Sequence, residues 1–307
     1  MRDAFTRVLM REAAENPRLT LITGDLGFGV LRPFWETYPE QFINAGIAEQ
    51  AMTGLAAGLA QTNRTVLTYS IGNFPTLRCL EQIRNDCAYH DANVKVVCVG
   101  GGFVYGSLGM SHHATEDISV LRALPGVTVF TPGDPAEVEA VVPVMLRTPG
   151  TCYLRLGRGG EPTLHTAPIE GWKLGQALTL SEGRDVALLS AGGILTQTVR
   201  AARLLAEKGV SAEVVSFPTI KPIDREKIVE LTQRFRHIVT VEEHSIVGGF
   251  GSAVSEVTAE LGTSCRIHRI GMEDEYSCIV GTQQYLREEY RMDDQAICER
   301  TLAWLKG

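Results

Sequence analysis

Short apolar runs rich in β-branched residues alternate with amphipathic stretches from one end of this chain to the other. In the first half the runs LTLITG, TVLTYS, NVKVVCVGG, VTVFTP and TCYLRL are separated by AEQAMTGLAAGLA, RCLEQIRNDCAYH, EDISVLRALPG and DPAEVEAVVPVML. That order predicts a parallel α/β sheet with crossover helices. A second series follows, with DVALLSAGG, AEVVSFPTI and HIVTVEEHS as strands and TQTVRAARLLAEKG, REKIVELTQRF and GFGSAVSEVTAELG as helices. Between the two, GRGGEPTLHTAPIEGW is rich in Gly and Pro and lacks periodicity, which marks a linker. Two α/β domains are therefore expected, at 1–170 and 171–307. Turn chemistry agrees, since Pro132, Asp134 and Pro135 open one helix and Gly209 closes another.

With 307 residues, 44% of them hydrophobic, the chain has enough apolar material for two ordinary cores. A formal net charge of −7 argues against nucleic acid or an anionic lipid surface as partner. The first stretch, MRDAFTRVLMREAAENP, has no apolar core of a leader, and no segment approaches the ~20 apolar residues of a membrane span. A cytoplasmic protein is expected. Seven scattered cysteines without a CxxC pair read as buried thiols, with neither disulfide nor zinc.

The most informative stretch is FINAGIAEQAMTGLAAGLA, where a strand-like run passes through Gly46 into a helix carrying Glu49 in its first turn. By residue type alone, Glu49 is a solvated acid favoured by the helix dipole. The residues after it are almost all Ala, Gly, Leu, Met or Thr, however, so the helix is expected to be buried nearly all round. A carboxylate there must find a partner or hold its proton.

GIAEQAM followed by an Ala/Gly helix resembles the pyrimidine-binding domain of transketolases and 1-deoxyxylulose-5-phosphate synthases, and the second half resembles the transketolase C-terminal domain through VVSFPTIKPID and TVEEHSIVGGFGSAV. The resemblance implies that Glu49 hydrogen-bonds the aminopyrimidine of thiamine diphosphate and thereby activates the cofactor. It implies that Phe74, in TYSIGNFPTLRCLEQIRND, stacks on the pyrimidine, although a Phe beside Pro75 is also an ordinary core residue. Asp25 and Leu26 are carried over as cofactor contacts and Arg78 as a substrate-channel residue. In GSLGMSHHATEDISVLRALPG, His112 takes the family His position, binding sugar hydroxyls and assisting proton transfer, whereas His113 reads as structural. Glu116 and Asp117 read as helix N-terminal acids rather than metal ligands. Arg158, in YLRLGRGG, and Arg2 fall on family arginines, and two guanidinium forks suit a phosphate or carboxylate. VCVGGGFVYG and VGGFGS fit no phosphate-loop pattern and read as tight turns, and His244 reads as structural.

Several departures from the family carry information. Nothing resembles the GDG motif and downstream Asn that hold the diphosphate through Mg²⁺, so the resemblance implies a split enzyme. Thiamine diphosphate and Mg²⁺ would then be held mainly by a partner subunit, in a heterotetramer. A family Ser is Gly29 here, a phosphate-facing His falls in the Gly100 region, and an Asp ahead of the catalytic His is Leu108. These changes weaken the case for a sugar phosphate acceptor. The leading expectation is transfer of a two-carbon ketol unit from a ketose donor to a carbonyl acceptor. The alternatives are the β subunit of a 2-oxoacid dehydrogenase, a decarboxylating synthase, and a non-catalytic scaffold.

Overall fold

The structure, a computed structural model, describes residues 1–306. Its strands are β1 (Leu19–Thr23), β2 (Phe42–Asn44), β3 (Thr65–Ile71), β4 (Val94–Val99), β5 (Thr128–Phe130), β6 (Cys152–Leu156), β7 (Leu178–Ser181), β8 (Val186–Ala191), β9 (Ala212–Ser216), β10 (Thr219–Lys221), β11 (His237–Ser245) and β12 (Arg266–Met272). They form a seven-stranded sheet in the order β10-β5-β6-β4-β3-β1-β2 and a five-stranded sheet in the order β12-β11-β8-β9-β7. Both are parallel except at one edge each, where β10 runs antiparallel to β5 and β7 antiparallel to β9. β4, β6 and β8 are buried along their whole length, as strands covered by helices on both faces must be.

The stretch AEVVSFPTI, expected as one strand, is two. β9 belongs to the second sheet, whereas β10 crosses to complete the first, pairing Thr219 with Phe130 and Lys221 with Val129. Pro218 lies at the crossing: it has no N–H for a ladder, and its carbonyl accepts from Thr131 N–H at 2.7 Å. The halves are thus joined by a shared sheet as well as by the linker. The linker is itself anchored, because Leu164 and His165 donate their amides to Asp134 Oδ2.

Helix Glu49–Ala60 departs from expectation. Glu49, Met52, Thr53, Ala56, Ala57 and Ala60 face inward, but Gln50, Ala51, Leu55 and Gly58 are exposed, and Ile47 just before them is 79% exposed. Added side-chain carbons on Gly54 and Gly58 would meet nothing within 4 Å. An all-apolar helix signals burial without saying in which chain, and here one smooth face is left uncovered. No described helix is long and apolar enough to cross a membrane.

Four connections leave the carboxyl ends of β1, β3, β4 and β6 on one edge of the first sheet: Gly24–Leu26, Gly72–Phe74, Gly100–His113 and Gly157–Arg158. In parallel sheets this is the edge where ligands bind.

Candidate active site

Glu49 opens its helix without a side-chain cap and is only 3% exposed. Its Oε2 accepts from Arg78 Nη1 at 2.7 Å, while its Oε1 accepts no hydrogen bond from the described residues. A side-chain carbon on Gly24 would sit 3.6 Å from Oε1, so the bare backbone leaves that oxygen accessible. The buried carboxylate has thus found a partner, and Arg78, assigned to a substrate channel from the sequence, lies on Glu49 itself.

From Arg78 the cluster continues across three rings. The guanidinium lies 4.5 Å from the Phe74 ring centre, and Phe74 meets the His112 imidazole edge-to-face at 5.0 Å. Phe74 is therefore a wall of the site rather than core. Asn73 ties the two loops together by donating its amide to the His113 carbonyl. His112 Nδ1 is 3.0 Å from Ser111 Oγ, which leaves Nε2 as its open nitrogen. Burial, and then the neighbouring His113, lower its pKa, so the ring is a base near neutrality. His113 is buried between Phe103 and the Gly106 carbonyl, as a structural residue.

Tyr105 was missed in the sequence, where its Gly-rich surroundings read only as a turn. A side-chain carbon on Gly100 (φ +98°) would collide with the Tyr105 ring, which fills the space a larger residue at 100 would take. Arg158 lies 5.6 Å above this ring, and His112 stands 6.4 Å from it. Burial raises the phenol pKa against the pull of Arg158 and then Arg2, and the hydroxyl has no hydrogen-bond partner among the described residues. Arg2 approaches from the first helix, with Nη2 3.7 Å from where a carbon on Gly159 would stand. Both arginines act on the Tyr105 phenol, Arg158 from directly above the ring and Arg2 from beside Gly159.

Asp25 follows Gly24 on the Glu49 side of the site, at φ +56°, held by a reciprocal pair in which its N–H donates to Asn44 Oδ1 and Asn44 Nδ2 donates to its Oδ1. Leu26 borders a separate apolar hollow of about 350 Å³ with Phe28, Trp35 and Phe42. Leu108 and Met110, on the His112 loop, are more than half exposed.

Asp117 proves to be more than a helix N-terminal acid. It is fully buried, accepting from Arg155 Nε at 2.8 Å and from the Tyr153 hydroxyl. His244, also buried, donates from Nδ1 to the Ser245 carbonyl and accepts the Ser119 amide at Nε2, and burial pushes its pKa down to about 4. Asp134, Glu137 and His165 lie close enough together for a metal ion, but their oxygens already serve the amides of Gly133, Glu137, Leu164 and His165 and the His165 ring. They form a helix cap.

Residues 1–161 match the family described as transketolase, pyrimidine binding domain, and residues 175–297 match transketolase, C-terminal domain. An apulose-4-phosphate transketolase subunit from Phocaeicola vulgatus is 35% identical over 99% of this chain and 97% of its own length. A 6-deoxy-6-sulfo-D-fructose transketolase subunit from Clostridium sp. (strain MSTE9) is 33% identical over 97% of this chain and 92% of its own. Among solved structures, a split gene transketolase, described as an inactive beta4 tetramer, superposes with a TM-score of 0.91 at 34% identity, covering 99% of this chain and 98% of the other.

Proposed function

The chain belongs to the transketolase family, and we propose that it is the cofactor-activating subunit of a split, thiamine-diphosphate-dependent transketolase that moves a two-carbon ketol unit from a ketose to a carbonyl acceptor. The observation carrying this reading is the Glu49 carboxylate, buried, fixed through Oε2 by Arg78 and open at Oε1 over Gly24. An aminopyrimidine ring fits there: Oε1 is a ready acceptor for a ring N–H, Gly24 leaves room, and Phe74 offers an aromatic wall. Thiamine diphosphate, when bound, supplies the nucleophilic carbon and electron sink needed to break the ketose C2–C3 bond.

The chain's own residues do the rest. Glu49 orients the ring and shares a proton with it in a site screened from water, and Arg78 compensates its charge. His112 offers Nε2 to the substrate hydroxyl whose proton leaves as the carbon–carbon bond breaks, and its lowered pKa keeps it free to accept that proton at neutral pH. Arg158, over Tyr105, and Arg2, beside Gly159, hold an anionic end of the substrate. The relatives' names support an anionic ketose, since one carries a phosphate and the other a sulfo group. Gly29 and Gly100 lack side chains for the same task, so the arginines carry that recognition.

The diphosphate and Mg²⁺ are assigned to a partner subunit, in a heterotetramer. The uncovered face of helix Glu49–Ala60 with Ile47, beside the site, is the surface on which assembly completes it. Glu49→Gln in the complex with its partner subunit tests the mechanism: turnover should fall by at least about 10²-fold while the two chains still co-elute. Unchanged turnover would exclude this role for Glu49 and favour a non-catalytic scaffold. Release of CO₂ from a 2-oxoacid donor would point instead to a decarboxylating synthase.

A further inference from the structure

Behind Tyr105, β6 and the turn Gly192–Gly193 face one another across a cleft of about 290 Å³ between the two halves of the chain. Four arginines line it: Arg155, Arg158, Arg200 and Arg287. Two are already neutralised, Arg155 by Asp117 at 2.8 Å and Arg287 by Glu243, with Nε to Oε2 at 2.7 Å. The remaining carboxylate on the wall, Glu161, is engaged by the Met1 amino group at 2.6 Å. Arg158 and Arg200 have no acceptor among the described residues. Thr196, in the first turn of helix Leu195–Glu207, is nine-tenths buried, yet its hydroxyl makes no hydrogen bond among the described residues. The Gly193 amide, at the head of the same helix, is likewise unpaired there. Two free guanidinium groups, an unpaired hydroxyl on the cleft wall and a positive helix end form an arrangement that lacks only an anion.

We propose that this cleft is a binding site for a phosphate-class oxyanion, either inorganic phosphate or the phosphate of a small ester, held by Arg158 and Arg200 with Thr196 and Gly193. Its volume of about 290 Å³ has room for a phosphate with a short carbon skeleton. The site is distinct from the one assigned to the substrate: Arg200, Thr196 and Gly193 come from the C-terminal half, and Arg2 does not line the cleft. Arg158 belongs to both, so an anion in the cleft competes for a guanidinium that otherwise lies over Tyr105. The inference rests on the cleft alone and stands whether or not the proposed activity is correct.

The test is equilibrium dialysis of labelled inorganic phosphate, and of labelled glycerol 3-phosphate, against the full chain at fixed ionic strength. One saturable site is expected, weakened about tenfold by Arg200→Ala and by Thr196→Val, and unchanged in Arg2→Ala. Arg200 is exposed, and Val is close to isosteric with Thr. Far-UV circular dichroism and melting temperature check that each variant keeps the fold, and Arg200→Lys should retain part of the affinity. Tighter binding of the ester would identify an organophosphate ligand, and equal binding would identify phosphate itself. Absence of saturable binding, or binding that ignores Arg200→Ala and Thr196→Val but disappears in Arg2→Ala, would overturn the proposal and place the anion in the substrate site.

Discussion

Replacing Arg155 by Met removes the cation from the most deeply buried ion pair in the chain while keeping the length of the side chain. Asp117 is 0% exposed, and its Oδ2 would retain only the Tyr153 hydroxyl, while Oδ1 already lacks a hydrogen bond and lies 3.7 Å from a neutral His244 ring. Breaking a buried pair from one side costs about 3–5 kcal/mol, because the other charge stays buried without compensation. Arg155 Nη2 also donates to the Ala114 carbonyl at 2.7 Å and to the Glu243 carbonyl at 3.0 Å. Ala114 keeps a second donor in Gly102 N–H, so only the Glu243 carbonyl loses a partner, at a cost of about 1 kcal/mol. The expected loss is therefore about 4 kcal/mol or somewhat more, a large share of the ~5–15 kcal/mol that holds an ordinary protein folded. Equilibrium urea unfolding followed by far-UV circular dichroism would measure it. Arg155→Met combined with Asp117→Asn discharges the stranded carboxylate, so the double variant should recover at least about 2 kcal/mol relative to the single one. A loss below about 1 kcal/mol for Arg155→Met, or a double variant no more stable than the single, would refute the argument.

Three further expectations concern pH, assembly and substrate binding. His244, pushed from 6.5 down to about 4 by burial, contributes stability that is present above pH 6.5 and lost as pH falls through 4, whereas Glu242, pushed by burial from 4.5 up to about 7, contributes stability that is present below pH 4.5 and lost as pH rises through 7. The two slopes oppose each other between pH 4.5 and 6.5, so thermal melts of His244→Gln across that range should show stability falling with rising pH more steeply than in the unmodified protein; an unaltered slope contradicts the assignment. Leu55→Glu places a charge on the uncovered face of helix Glu49–Ala60 and should leave the melting temperature within a few degrees while abolishing co-elution with the partner subunit, and intact assembly would show that this face is not the interface. Tyr105→Phe keeps the ring beneath Arg158 and should change kcat/KM little, whereas Tyr105→Ala removes it and should lower kcat/KM about tenfold, mainly through KM; equal effects of the two would mean that the hydroxyl, not the ring, is what matters.

The alternation of β-branched runs with amphipathic stretches was sufficient to predict two α/β units, because a buried parallel strand and its crossover helix each leave a local pattern. Asp134 and Pro135 likewise announced their helix, since an N-cap is chemistry among near neighbours: Asp134 Oδ1 accepts from Glu137 N–H at 2.8 Å. Other features were not legible. AEVVSFPTI looked like one strand because periodicity records burial but not which sheet does the burying, and only the packing shows the chain changing sheets at Pro218. The helix after Glu49 looked buried all round because apolar composition cannot separate a core from a face awaiting another chain.

Local pattern was enough for the layered α/β architecture, for the acid at the head of a small-residue helix, and for the set of polar side chains carried by the strand-to-loop connections. Three-dimensional packing was needed to show that Arg78 is the partner of Glu49, that Tyr105 fills the space over Gly100, and that Arg158 and Arg200 share a cleft. The cause is separation along the chain: Glu49 and Arg78 are 29 residues apart, and Arg155 reaches Glu243 across 88, so no window of neighbouring residues carries a trace of either contact.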